Sequence, residues 1–204
     1  MLDQLIPFLT ASILLTFSPG PDIIYVLVRS IAFGYKQGIM TALGLVSGIL
    51  VHTSLVAFGV SAIIKQSEYI FLVIKVLGAL YLLYLAYQVY KSDPKIAFTA
   101  EGISDKSMAR LYRQGFIMNV LNPKVSIFFL AFFPGFLWEP EGNTVLQFYI
   151  LGGLFMLQAL VIFSFVAVMA GRISKYIKSH PRSGLFLKWL QVVIFVLIAV
   201  LILL

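Results

Sequence analysis

Long apolar runs separated by short polar stretches run the length of the chain. A bilayer-crossing helix needs about 20 mostly apolar residues. Six segments qualify: Leu5–Val28, Gly38–Ile64, Tyr69–Tyr90, Gly115–Trp138, Thr144–Gly171 and Leu185–Leu204. Unbroken runs of this kind predict helices, because barrel strands are short and alternate. The expected fold is an all-α integral membrane protein of six transmembrane helices. The longest linker, Lys91 to Arg113, is too small to be a domain. It divides the chain into a first three-helix half (1–90), a cytoplasmic linker (91–113) and a second three-helix half (114–204). Three spans per half make the second half insert upside down relative to the first. Related halves would then form two inverted repeats, a common build for secondary transporters. Ile74-Lys75-Val76-Leu77 and Leu187-Lys188-Trp189-Leu190, which open the third and sixth spans, are weakly alike.

Composition agrees with this reading. Hydrophobic residues make up 61% and charged residues 11%, against about 45–50% and about 25% in soluble domains. Lipid must therefore solvate part of the surface. The absence of cysteine excludes disulfides and thiolate metal sites. The net charge of +7 would suggest nucleic acid as a partner on a soluble protein, but here the basic residues fall between spans and read as topology signals. Twelve Lys and Arg lie on one side: Arg29 and Lys36, the five from Lys91 to Arg113, and the five from Arg172 to Lys188. The other side has Lys65 alone, and Lys75 and Lys124 lie within spans. By the positive-inside rule both termini face outward. Asp3 is the only charge among the first seven residues and Arg29 is the first basic residue, which reads as an uncleaved first span. Trp138 and Trp189 stand at span ends, as interfacial anchors do.

The first candidate for chemistry is Ser18-Pro19-Gly20-Pro21-Asp22, inside span one. Proline removes a backbone donor and clashes with an earlier carbonyl, so a regular helix stops here. Broken helix at membrane depth survives only against protein or water. Asp22, seven residues before Arg29, lies about 10 Å in from the cytoplasmic edge. A carboxylate there is costly unless paired, hydrated or protonated. Its plain alternative is a kink with Asp22 snorkelling or capping the second half-helix. The second candidate is Asn122-Pro123-Lys124, in the span that corresponds to span one. Its alternative is a kink with Lys124 merely neutralising Asp22. Two Pro-interrupted spans at matching positions point to a midplane binding site. Lys75, about 9 Å into span three, either faces the pathway or snorkels outward. Tyr81, Tyr84, Tyr87 and Tyr90 form a slanted stripe that lines a pathway or bonds neighbouring helices. His52, mid-span, is a proton carrier at physiological pH or a bonded core histidine. Glycine pairs at Gly34/Gly38, Gly44/Gly48 and Gly152/Gly153 provide close helix contacts and leave room for a homodimer.

There is no phosphate-binding loop, zinc-helix motif or nucleophile elbow, so neither a cofactor nor an enzymatic activity is expected. The Pro-Gly-Pro-Asp stretch, the Gly34/Gly38 turn, Lys75-x2-Gly78-Ala79-x-Tyr81-Leu82 and Gly115-x6-Asn122-Pro123-Lys124 resemble the LysE/RhtB family of bacterial amino-acid exporters. The resemblance covers essentially the whole chain. It implies a multi-pass efflux carrier of the bacterial cytoplasmic membrane for amino acids or close derivatives, driven by the proton gradient. It also implies that Asp22, Lys75, Asn122 and Lys124 are central.

The reading is alternating access around the two broken spans. Asp22 receives either a proton or the substrate ammonium. Lys124 and half-helix N-termini receive the carboxylate, and carbonyls freed near Pro19 and Pro123 add acceptors. Burial and a nearby lysine act on the Asp22 proton in opposite senses, so its affinity depends on conformation. Two other readings stand beside it. An efflux carrier for a metal cation is disfavoured by two intramembrane lysines, and a membrane-embedded enzyme or scaffold lacks clustered catalytic groups.

Overall fold

The computed structural model describes residues 2–60, 68–94, 104–180 and 182–203. Lys65 and Lys95 of the charge count, residues 61–64 of the second span, Leu204 and linker residues 95–103 lie outside the described residues.

Every described element is helical. Helix α1 is Leu2–Phe17, α2 Pro21–Phe33 and α3 Tyr35–Leu55, which continues into a π turn at Val56–Val60. Helix α4 is Glu68–Lys91, α5 Met108–Val120 and α6 Pro123–Ile127. A π turn at Phe128–Phe132 and a 3₁₀ turn at Phe133–Phe136 extend α6. Helix α7 is Thr144–Ser179 and α8 is Ser183–Leu203. Four helices are each long and apolar enough to cross a bilayer. Two bent pairs qualify jointly, α1 with α2 at 55° and α5 with the segment Pro123–Phe136 at 48°, which gives six candidate spans. The fold is thus all-helical with four to six candidate spans.

Side-chain registers set the helix directions. Thr41, Gly44 and Gly48 of α3 meet Gly115, Tyr112 and Asn119 of α5, so the two helices run parallel. Gly38 meets Ala167 and Thr53 meets Gly152, so α3 and α7 run antiparallel. Lys188 Nζ donates to Ser92 O at 2.8 Å, and the Tyr90 and Trp189 rings lie 5.7 Å apart, which places the start of α8 beside the end of α4. Between α2 and α3 the chain turns on Gly34 alone, whose φ of 87° is open to glycine and strained for other residues.

The α3–α5 contact is close because it has no side chain at its crossing. A Cβ on Gly44 would lie 2.1 Å from the Tyr112 carbonyl oxygen, and one on Gly115 would lie 2.3 Å from that of Thr41. Backbone cannot move aside as a flexible side chain can. Gly44→Ala is expected to cost at least about 1–3 kcal/mol. Gly153, with nothing within 4 Å of its Cβ position, should tolerate alanine. Thermal unfolding of the two purified variants in detergent checks this: a lowered Tm for the first, an unchanged one for the second.

Beyond the second bend, phenylalanines close the core. Phe133 stacks on Phe148 at 5.6 Å and packs against Phe8 and Phe129 at 5.4 and 4.4 Å. Phe129 and Phe128 both reach Phe155 of α7, at 5.3 and 5.6 Å. This cluster lies between the bend and the chain end that carries the α1 N-terminus.

Candidate functional site

The two bends meet, and their parts correspond. Gly20 is the N-cap of α2, Pro21 its first residue and Asp22 its second. Asn122 is the N-cap of α6, Pro123 its first residue and Lys124 its second. Proline is favoured at that first position because its missing N–H has no helical partner to lose. The two charged residues thus hold the same place in the two interrupted helices, and both are buried, at 5% and 8% exposure.

Each proline also frees a carbonyl one turn earlier. Leu15 O would accept from the backbone N–H of residue 19, but Pro19 has none. Lys124 Nζ fills the gap, donating to Leu15 O at 3.0 Å and Ser18 O at 3.1 Å. The ammonium therefore sits where the end of α1 presents its partial negative charge. Asn119 O loses the N–H of residue 123 in the same way. It accepts instead from the Asn122 backbone N–H at 2.9 Å and pairs with His52 Nε2 at 3.1 Å. Donation by His52 requires the Nε2–H tautomer. Gly20 keeps the first contact open, since a Cβ there would lie 3.3 Å from Lys124 Nζ.

Asn122 joins the two halves. Its Nδ2 donates to Asp22 Oδ2 at 2.7 Å, while its Oδ1 accepts from the Lys124 backbone N–H at 3.0 Å. Among the described residues no hydrogen bond runs directly between Asp22 and Lys124. The Asp22 Oδ1 atom is buried with no partner. An ammonium has three donors, of which Lys124 uses two. Both side chains line a cavity of about 20 Å³, together with Thr16, Asn119, Ile49 and Phe155. That is room for about one water, far too little for an amino acid. The Asp22 carboxylate and the Lys124 ammonium thus line one small common space.

Of the residues singled out in the sequence, Pro19, Gly20, Pro21, Asp22, Asn122, Pro123 and Lys124 come together here. His52 stands one step out, bonded to Asn119 and 5.6 Å from the Phe129 ring. His52→Ala removes one of the two partners of the Asn119 carbonyl and should cost about 1 kcal/mol. A lowered Tm, with the pH dependence of transport kept in the folded protein, would be the outcome. Lys75 is elsewhere, on the rim of a 660 Å³ cavity formed by α1, α4, α8 and the turns after α6, with Thr10, Leu14, Phe71 and Phe132. Tyr81 packs on Tyr84 at 5.9 Å, and the hydroxyl of Tyr84 accepts from Gln88 Nε2. Tyr84, Tyr87 and Tyr90 are each about half exposed, Tyr90 with its ring against Trp189 of α8. Two further residues belong near the site: Asn119, whose backbone carbonyl ties α3 to the second bend, and Arg29, one of the topology-marking basic residues, which is fully buried. A polar residue one turn before a bend-forming proline was the available signal for Asn119.

Bilayer-length helices and two bent helix pairs, packed around a buried Asp22–Asn122–Lys124 centre, mark a multi-pass membrane protein, and the family match gives its class. The chain belongs to the LysE family: the LysE type translocator family matches residues 13–204. Members of that family are transporters, not enzymes. The chain is 30% identical over 175 residues to the homoserine/homoserine lactone efflux protein of Salmonella typhimurium, covering 86% of this chain and 84% of that one. The protein of the same name from Salmonella typhi is also 30% identical over 175 residues, with the same coverage of both chains. An uncharacterized membrane protein of Vibrio cholerae serotype O1 is 29% identical over 173 residues, covering 84% and 83%. No solved structure matches the chain.

Proposed function

We propose that this protein is a secondary carrier that exports an amino acid or a close derivative, such as homoserine or its lactone, across the bacterial cytoplasmic membrane in exchange for protons. The observation that carries the reading is the closed centre, where Asp22 Oδ1 and Lys124 face one small space between two bent helices. Those are the two charges that an amino-acid zwitterion would meet. The names of the Salmonella relatives supply the cargo class.

In this reading the halves 1–90 and 114–204 are inverted repeats, and Pro19, Pro21 and Pro123 interrupt the first span of each. The matched cap–proline–charge order supports it. The end bearing Arg29 and Lys91 faces the cytoplasm, and both termini face outward. Substrate enters from the cytoplasm when the α1–α2 and α5–α6 bends open on that side. The ammonium displaces a proton from Asp22, and the carboxylate meets Lys124. The phenylalanine cluster then parts toward the outer side, where the 660 Å³ cavity with Lys75 on its rim receives the substrate. A proton from outside refills Asp22 and returns the empty carrier. Competition of proton and ammonium for one carboxylate gives exchange without any energy source in the chain itself.

A metal-cation cargo is less well supported. Lys124, next to the only buried carboxylate of the centre, repels a cation. The deciding experiment is reconstitution of purified protein into liposomes with an imposed pH gradient. A panel of amino acids, homoserine, homoserine lactone and divalent cations is offered. Gradient-dependent movement of homoserine or another amino compound is expected. Movement of a cation alone would overturn the reading.

A further inference from the structure

Arg29 is wholly buried, and its guanidinium is mostly unspent. Nη1 donates to Ser104 O at 2.9 Å, and the plane lies over the Phe33 ring at 4.8 Å. Its Nε and Nη2 are buried and have no hydrogen-bond partner. A guanidinium carries five donors, and leaving donors of a buried cation unmade is costly. Nε and Nη2 form one edge of the planar fork, the edge that grips both oxygens of a carboxylate in parallel.

The neighbouring groups fit the same ligand. Tyr25, one turn earlier on α2, has a buried hydroxyl without a partner and lies within electrostatic reach of Arg29. Asp22 is seven residues before Arg29, on the same buried face, and its Oδ1 is likewise buried without a partner. Helix α2 therefore carries an unused acceptor, then a hydroxyl, then an unused donor edge, spaced over about 10 Å. At the described end of the linker, Ser104 O accepts from Nη1, the donor outside that edge, and Asp105 beside it accepts from Gln37 of α3.

We propose that the free edge of Arg29, with the Tyr25 hydroxyl, is a carboxylate-docking site at the linker end of the pathway. It holds the substrate by its α-carboxylate before the ammonium reaches Asp22. This rests on the transport reading above and adds a residue that selects among its substrates. The site ignores an amino compound that has no carboxylate, and homoserine lactone is such a compound.

The test uses the full-length protein in everted membrane vesicles, which expose the cytoplasmic face, and compares homoserine with homoserine lactone. Arg29→Gln is expected to raise the KM for homoserine by at least about tenfold and to change that for the lactone by less than about twofold, the loss belonging to a charge-assisted hydrogen bond. Should Arg29→Gln fail to fold, Tyr25→Phe carries the same prediction on a smaller scale, a selective rise of about threefold for homoserine. Equal loss on both compounds, or no change on either, overturns the docking site and leaves the transport reading in place. A wild-type protein that moves neither compound overturns both.

Discussion

Asp22→Asn is expected to abolish gradient-driven transport and to lower the affinity for amino substrates by about two to three orders of magnitude, the loss from breaking a buried charge contact. The change is small in shape. The Oδ2 position, which accepts from Asn122 at 2.7 Å, is kept by the amide oxygen. What disappears is the carboxylate beside Lys124, the group that in the proposed mechanism exchanges a proton for an ammonium. Folding is expected to survive because Lys124 keeps its bonds to Leu15 O and Ser18 O. Uptake into pH-jumped liposomes, with Tm measured on the same sample, separates the two effects. Retention of wild-type driven transport would remove Asp22 from the mechanism.

In the proposed mechanism Lys124 serves both structure and transport, so its replacement has two readouts. Lys124→Ala removes the donor that satisfies two carbonyls at the end of α1 and leaves Asp22 buried without a counter-charge. A loss of about 3–5 kcal/mol in stability is expected, as when one member of a buried pair is deleted, together with loss of substrate binding. Lys124→Met keeps most of the volume and isolates the charge. Combining Lys124→Met with Asp22→Asn should recover part of the lost stability, since removing both charges is far cheaper than removing one. It should recover no transport. Non-additive stability without any return of transport marks the pair as coupled in the fold. A Lys124→Met protein with normal substrate affinity would place Lys124 outside the binding site.

The six apolar segments were legible because membrane depth and helix rise fix span length locally. The observed helices extend the predicted ones: α7 runs from Thr144 to Ser179 where apolarity alone stops at Gly171, since polar helix continues beyond the bilayer. Bends of 55° and 48° fall at the Pro19–Pro21 and Pro123 positions, where a missing backbone N–H is a local feature of the sequence. The pairing across them is not. That Lys124 reaches the Leu15 carbonyl depends on α6 packing beside the end of α1, and that His52 reaches Asn119 O depends on α3 packing beside α5, both tertiary facts with no local signal. Arg29 misled for a related reason: basic residues at span ends usually mark topology, and only the packing of Phe33 and Ser104 against it shows that it is interior. The π turns at Val56–Val60 and Phe128–Phe132 left no trace in the hydropathy pattern, because a π turn changes the register of a helix and not its composition.

The central claim is that Asp22 holds a proton or the substrate ammonium, never both. Its most direct test is proton release on binding. Homoserine is added to purified protein in weakly buffered detergent solution containing a pH indicator, while binding is followed in parallel by calorimetry. Wild-type protein should release protons in step with the substrate bound, and Asp22→Asn should release none. Binding to wild-type protein with no proton release at any pH would contradict the account.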